Sequence, residues 1–167
     1  MVSFDNIKNH VIEINEFQLK WRFTEKEYNI LPKEHLNQLK PLDKEASKFL
    51  EDFISDINLH ESIPFTEGFF KTIDSINFEI DSEKEVEKWL YKRGFPFEKE
   101  VFLSWGAETT MIVPWKLLIK YFDDFFYPVA DDLTIFDKSL NWAILFFHHS
   151  EIFFGTNEKY EIDKANK

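Results

Sequence analysis

Residues 141–155 are the most concentrated apolar run in the chain, and four polar residues interrupt this run. Aromatic, β-branched and aliphatic residues form its two arms, 142–147 and 152–154, and residues 148–151 have the length of a connecting turn. This pattern predicts a β-hairpin. Because side chains alternate between the faces of a strand, the first arm presents apolar groups on both faces, and neither face is suited to water. We therefore expect the first arm to be a central strand of a sheet.

The composition predicts a folded globular chain rather than a disordered one. Hydrophobic residues make up 44% of the sequence, with 20 Phe and 5 Trp, and aromatic burial on this scale can offset chain entropy. A length of 167 residues fits one domain, and four Gly and six Pro leave no room for a flexible linker. We expect a single domain over residues 1–158 and a fraying tail over residues 159–167.

Cysteine is absent from the sequence. Its absence excludes disulfides and thiolate chemistry, and it favours a reducing compartment. The first residues lack the cationic and apolar regions of a signal peptide, and no apolar run approaches membrane-spanning length. These features predict a cytoplasmic protein that does not contact a membrane.

The chain is acidic, with a net charge of −11 from 20 basic and 31 acidic side chains. Residues 121–137 contain no Lys or Arg and hold five aspartates, which are Asp123, Asp124, Asp131, Asp132 and Asp137. Such a segment repels a phosphate backbone and attracts a basic protein, so nucleic acid is disfavoured as a partner. The alternative is that the acidity only keeps an aromatic-rich protein soluble.

The first part of the chain is predicted to be mainly helical, with helices at residues 32–39, 43–57, 68–75 and 82–93. Asp43 and Ser82 precede apolar stripes with helical spacing and are placed to cap their helices, and Gly94 follows the last one. Residues 17–24 are the exception, because apolar and polar residues alternate there. That alternation predicts a half-buried strand.

The second part is predicted to consist mainly of antiparallel strands. We expect a hairpin from strands at 101–105 and 110–113, then a helix that begins at Pro114, and then a short strand at 133–136 before the terminal hairpin. Helices followed by strands indicate an α+β fold. The predicted fold is a single α+β domain with a mainly antiparallel sheet of about five strands, including residues 17–24, and helices on one face.

Aromatic residues are crowded into the last third of the chain. They include Trp105, Trp115, Phe122, Phe125, Phe126, Tyr127 and Trp142. Most are expected in the core, and we also expect Phe49, Phe53 and Trp89 to be buried together with Trp142. An aromatic patch that remained exposed and was rimmed by aspartates would be suited to protein binding.

Several segments resemble, in order, a family of small bacterial proteins known only as a domain of unknown function. They are Phe17–Phe23, Leu31-Pro32, Leu39–Leu42, Glu108-Thr109-Thr110, Trp115, Phe122–Phe126, Asp131-Asp132 and the terminal strand pair that closes at Gly155. The resemblance implies a single-domain bacterial α+β fold and carries no catalytic residues. In size, acidity and lack of cysteine the chain is also similar to immunity proteins, which neutralise bacterial toxins.

Two groups of residues could bind metal, but their patterns favour other roles. His148 and His149 would point to opposite faces of a strand, which favours turn histidines over metal ligands. The pairs Asp123-Asp124 and Asp131-Asp132 could hold Mg²⁺ or act as acid and base. The sequence offers no companion general acid or phosphate loop, so we predict no catalytic residues, no metal and no cofactor.

We therefore predict a non-enzymatic protein-binding domain, of which an immunity protein against a basic toxin is the concrete version. The expected docking residues are Asp123, Asp124, Tyr127, Asp131, Asp132 and Asp137, with Tyr127 as the aromatic anchor. Two alternatives remain open. One is a small enzyme or ligand-binding domain with a pocket beside the terminal hairpin, and the other is a housekeeping protein whose acidic surface has no partner.

Overall fold

The computed structural model describes residues 1–157 of the chain as a single α+β domain. The strands are β1 (Asn29–Ile30), β2 (Lys40–Pro41), β3 (Thr72–Asn77), β4 (Glu100–Gly106), β5 (Thr109–Pro114), β6 (Leu133–Phe136), β7 (Trp142–Phe147) and β8 (Glu151–Thr156). The helices are α1 (Trp21–Thr24), α2 (Lys33–Leu36), α3 (Lys44–Asp56), α4 (Glu83–Tyr91), α5 (Trp115–Lys120) and α6 (Phe122–Phe125). Two 3₁₀ turns, Ile7–His10 and Ile14–Glu16, precede them. The tail predicted at residues 159–167 lies outside the described range.

All strands except β1 form one antiparallel sheet with the order β2-β5-β4-β6-β7-β8-β3. Over the described residues the sheet has seven strands, so the expected count of about five was wrong. The sequence pattern missed both edge strands. Strand β2 has only two residues, and the residues of β3 are exposed or half-exposed, so neither carries the apolar alternation of a buried strand.

The terminal hairpin is confirmed by β7 and β8, which pair along their whole length. Strand β7 lies between β6 and β8 and is therefore central, as its apolar composition predicted. Its side chains divide between two cores. Trp142, Ile144 and Phe146 belong to one cluster, and Ala143 and Leu145 belong to the other.

The predicted placement of helices on one face of the sheet was wrong, because helices cover both faces. The first core cluster packs the sheet against α4, α5 and α6, and the second packs the opposite face against α3. Apolar side chains on both faces of β4, β6 and β7 leave no face for water, so each face requires a cover. The apolar residues on both faces of β7 already implied that both faces of the sheet are covered.

Two segments adopt a structure opposite to the predicted one. Residues 17–24 form turns and the short helix α1 rather than a strand, with Arg22 donating its backbone N–H to Leu19 at 3.1 Å. The alternation failed as a guide because Arg22, expected on the wet face, is buried in an ion pair. Residues 68–75 were expected to be helical, but they lead into edge strand β3 instead.

The predicted helix ends are confirmed at three positions. Asp43 caps α3 by accepting the Ala46 N–H at 2.9 Å, and Ser82 caps α4 by accepting the Glu85 N–H at 3.3 Å. Gly94 follows α4 with a φ of +78°, a left-handed conformation that favours glycine. No described helix is both long and apolar enough to cross a membrane.

Most of the aromatic residues in the last third of the chain are buried, as expected, and Trp142 is 5% exposed. Phe49, Phe53 and Trp89 are partly exposed, so the prediction was wrong for them. Phe49 and Phe53 pack edge-on against Phe4, with ring centroids 4.9 and 4.8 Å apart. They therefore lie at the margin of the second core, under the N-terminal segment, rather than at its centre.

Candidate functional site

Asp131 is part of a buried ion pair rather than of an open docking edge. Its two carboxylate oxygens accept hydrogen bonds from the Arg22 guanidinium at 2.6 and 2.9 Å. The Arg22 side chain is 3% exposed and that of Asp131 is 9% exposed. Asp131 also accepts the backbone N–H of Tyr127 at 2.9 Å. This carboxylate therefore organises the segment that carries Tyr127 and is not available to a partner.

Asp137 is likewise committed to the interior. It accepts hydrogen bonds from Lys99 at 3.1 Å and from the Trp142 indole at 2.9 Å, and its side chain is 17% exposed. Burial alone would raise the pKa of Asp137, but hydrogen bonds from Ser139, Lys99 and Trp142 outweigh it and lower that pKa below its ordinary value. Asp137 stays ionised and anchors the β6–β7 connection.

Asp132 lies directly before β6, next to Asp131 in the chain, and pairs with the turn of the terminal hairpin. It accepts both the backbone N–H and the ring Nδ1 of His148, at 3.0 and 2.9 Å. About half of the Asp132 side chain is exposed. His148 thus has an aspartate partner, and the turn histidine has a structural role in closing the β7–β8 hairpin onto β6.

Tyr127 lies in a cluster of aromatic side chains at the surface. Its ring centroid is 5.6 Å from that of Trp21 and 6.3 Å from that of Tyr28, and the Trp21 and Tyr28 centroids are 4.4 Å apart. The Arg22 guanidinium lies 4.3 Å from the Tyr127 ring and 5.0 Å from the Trp21 ring. The buried ion pair therefore supports these rings from beneath by cation–π contact.

Asp123 and Asp124 lie beside this cluster, on α6. Asp124 accepts a hydrogen bond from the Asn29 side chain at 2.9 Å, and Asn29 follows Tyr28 directly. Burial, together with the charges of Asp124, Glu83 and Glu87, raises the pKa of Asp123 to about 6. Burial also raises the pKa of Asp124, against the effect of its Asn29 hydrogen bond. Carboxylates from α4 and α6 are thus crowded at one place.

We define the Tyr127 surface as Trp21, Tyr28, Asp123, Asp124 and Tyr127. Its apolar groups are accessible, since Tyr28 is 53% exposed, and Val129, which follows Tyr127 by two residues, is fully exposed. The structure brings three of the six predicted docking residues to this surface and places Asp131 beneath it. Sequence reasoning missed Trp21 and Tyr28, because it placed Trp21 on the core face of a strand and gave the loop before β1 no role.

A polar cavity of about 220 Å³ lies beside the terminal hairpin, on the α3 face of the sheet. We define the polar cavity by Glu51, His60, Ser104 and Asp132, which supply its main polar groups. Its apolar wall consists of Ile54, Ile63, Leu145 and Phe147. Trp105 and Gly106 also border it, but the Trp105 ring packs against Phe17 and Phe125 in the first core. A second cavity of about 200 Å³ shares Glu51, Ile54 and His60 with it. The two cavities are therefore neighbours along α3.

Hydrogen bonds fix the polar groups of this cavity. Ser104 donates its hydroxyl to Glu51 at 3.0 Å. His60 Nδ1 lies 2.8 Å from the Pro64 carbonyl, which can only accept, so Nδ1 carries the proton and Nε2 accepts from the Thr134 hydroxyl at 3.0 Å. Burial lowers the pKa of His60 against the opposing effects of Pro64, Glu51 and Asp132, so the ring is neutral at pH 7.

No group of three or more His, Asp or Glu side chains within residues 1–157 is placed to hold a metal ion. Comparisons of the chain with models of known protein families, with curated proteins and with solved structures found no match. No family assignment follows from them. The Tyr127 surface and the polar cavity are therefore the features from which a function can be inferred.

Replacing Asp123 with Asn should stabilise the protein at neutral pH. The folded-state pKa of about 6 lies above the ordinary 3.8, so the folded state holds its proton more tightly, and stability falls as pH rises from about 4 to about 6. Asparagine does not ionise and escapes this loss. We expect Asp123→Asn to gain about 1 kcal/mol at pH 7, after allowance for solvent screening, and little at pH 4. Urea unfolding at both pH values measures the difference.

Asp56→Asn, at the exposed end of α3, gives the baseline for replacing a surface aspartate. A gain at pH 7 no larger than that of Asp56→Asn would mean that the carboxylates near Asp123 are not crowded in solution.

Proposed function

We propose that the protein is a protein-binding domain that docks a basic partner at the Tyr127 surface. The observation that carries this proposal is the juxtaposition of three surface aromatic rings with the crowded carboxylates of α4 and α6. Aromatic side chains that stay partly exposed are typical anchors of protein interfaces, and carboxylates around them favour a cationic partner. An immunity protein that neutralises a basic toxin is the concrete form of this function.

The aromatic anchors are held in place before any partner arrives. Arg22 and Asp131 form a buried bidentate pair, and the guanidinium contacts two of the three rings. Asp131 also holds the backbone of Tyr127. Rings fixed in this way lose little conformational entropy on binding, which is a condition for high affinity over a small area.

The carboxylates contribute in a different way. Asp123 carries a raised pKa because it is half-buried among Asp124, Glu83 and Glu87, so its ionised form is unfavourable in the free protein. A lysine or arginine placed against this group relieves the repulsion and lowers the pKa. Functional sites often tolerate such a cost in stability. Binding should therefore strengthen as pH rises through about 6.

The first experiment is comparative capture of basic proteins from a cell extract at low salt. The variants are Tyr28→Ala, Tyr127→Ala and the pair Asp123→Asn with Asp124→Asn, and the control pair is Asp52→Asn with Asp56→Asn on α3. We expect the wild type and the control pair to capture the same basic protein. Each tyrosine variant should weaken its binding by about 2 kcal/mol, a factor of about 30.

The two kinds of variant should differ in their kinetics. Neutralising Asp123 and Asp124 removes long-range attraction, so it should slow association and flatten its salt dependence. Removing a tyrosine should mainly speed dissociation. Identical capture and identical rates for the wild type and all variants would mean that this surface only solubilises the protein, and the site assignment would then be withdrawn.

The neutralising variants must avoid Asp131. Asp131 pairs with buried Arg22, so Asp131→Asn would disturb the fold as well as the surface charge. Asp123 and Asp124 carry the same charge on the surface itself. Their replacement separates an effect on binding from an effect on folding.

A further inference from the structure

The polar cavity contains charged and polar side chains that take no part in the proposed docking at the Tyr127 surface. It combines two carboxylates, of Glu51 and Asp132, with a wall of aliphatic and aromatic side chains. None of the described residues that line it is a lysine or an arginine. His60 is neutral and has both ring nitrogens engaged, so it does not offset the negative charge. An anionic ligand is therefore disfavoured.

We infer that the polar cavity binds a single ammonium or guanidinium group carried on a short apolar stem. The charged group would meet Glu51, whose carboxylate is oriented by the Ser104 hydroxyl at 3.0 Å, and Asp132, which lines the same cavity. The stem would lie against Ile54, Leu145 and Phe147.

The size of the cavity restricts the ligand further. Its volume of about 220 Å³ is below the roughly 300 to 1,000 Å³ of pockets that hold drug-sized molecules. A nucleotide or a peptide segment would not fit, whereas one small amine or one side chain would. Two kinds of molecule carry such a cationic group on a short stem: a free organic amine, and a bound protein with a lysine or arginine side chain.

Ser104 and His60 already have hydrogen-bond partners in this arrangement and support the cavity rather than bind the cation. The serine hydroxyl donates to a carboxylate, and the histidine is engaged by Pro64 and Thr134. Glu51 keeps one carboxylate oxygen for a ligand after it accepts from Ser104, and a carboxylate that is already oriented loses little freedom when a cation binds. The cavity is thus prepared for recognition of a cation.

The test uses three probes of similar shape and different charge, namely 2-phenylethylamine, 2-phenylethanol and 3-phenylpropionate. Binding is followed by ¹H–¹⁵N NMR at the backbone amides of Trp105 and Gly106, two residues that border the cavity. We expect the amine to bind at least about tenfold more tightly than the alcohol, and the acid to bind more weakly still. This arm needs no variant, so it does not depend on the folding of a mutant.

The variant arm compares Glu51→Gln with Glu45→Gln. Both residues lie on α3, but Glu45 is on its exposed side. Glutamine at position 51 can still accept from Ser104, so only the charge is removed. We expect Glu51→Gln to weaken amine binding at least about tenfold and Glu45→Gln to leave it within about twofold. Nα-acetyl-lysine amide, compared with the amine, then distinguishes a side-chain ligand from a free amine.

Three results would overturn the inference. The first is equal affinity for the three probes, which would show a purely apolar cavity. The second is unchanged amine binding by Glu51→Gln. The third is no shift of the Trp105 and Gly106 signals by the amine or by the blocked lysine at about 10 mM, a concentration that should populate even a weak site.

Discussion

Replacing Asp131 with alanine should destabilise the protein by about 3 to 5 kcal/mol, because it leaves the Arg22 guanidinium buried without a negatively charged partner. The two side chains share two hydrogen bonds and are almost fully excluded from solvent. The same change removes the acceptor of the Tyr127 N–H. A domain of this size has a total stability of about 5 to 15 kcal/mol, so the loss is severe. Urea unfolding of the wild type and the variant measures it.

The neighbouring residue offers a matched control. Asp132→Ala likewise removes a carboxylate from an ion pair, in this case with His148. That pair is about half exposed, so we expect a cost in stability within about 1 kcal/mol. The double variant Arg22→Met with Asp131→Leu removes both charges and should be more stable than Asp131→Ala alone. If Asp131→Ala and Asp132→Ala cost the same, the buried pair does not hold the loop as the structure indicates.

Replacing Trp115 with alanine should cost about 3 to 5 kcal/mol, since it deletes the largest fully buried side chain of the first core. Trp115 opens α5, is 0% exposed, and packs edge-on against Phe95 with centroids 5.1 Å apart. A cavity in this position would loosen the contact between α5 and the sheet. Thermal or urea unfolding followed by far-ultraviolet circular dichroism measures the loss.

Trp115→Phe separates the volume of this side chain from its polar atom. The indole Nε1 of Trp115 is buried and has no hydrogen-bond partner among the described residues, and such a group costs about 1 to 3 kcal/mol. Phenylalanine loses some apolar area but also removes that donor. We expect a net cost below about 1.5 kcal/mol. A cost as large as that of Trp115→Ala would mean that the indole N–H is satisfied in solution.

Local signals in the sequence were sufficient for much of the fold. The terminal hairpin, the hairpin of β4 and β5, and the caps Asp43 and Ser82 depend on residues within a few positions of one another. Strand β3 was not predicted, because it is an edge strand with little apolar alternation. The helical turn at Trp21–Thr24 was predicted wrongly as a strand, because its Arg22 is stabilised by a residue 109 positions away in the sequence. Such tertiary contacts override local pattern.

The candidate site was only partly predictable for the same reason. Tyr127, Asp123 and Asp124 could be identified from the run of aspartates and aromatics, and they do lie together. Asp131 and Asp137 belong to the same run, but Arg22 and Lys99 come from distant segments and remove them from the surface. A cation far away in the chain cannot be assigned to a carboxylate by spacing alone. Tyr28 carries no pattern of its own and needed the structure.

The most direct test of the proposed docking function is hydrogen–deuterium exchange of the protein with and without the basic partner that the capture experiment identifies. The Tyr127 surface is built from two segments, residues 21–30 and residues 121–129. We predict that partner binding protects both segments together, and that protection is lost with Tyr127→Ala and retained with Asp52→Asn. Protection confined to other regions, such as edge strand β3 or the exposed side of α3, would contradict docking at the Tyr127 surface.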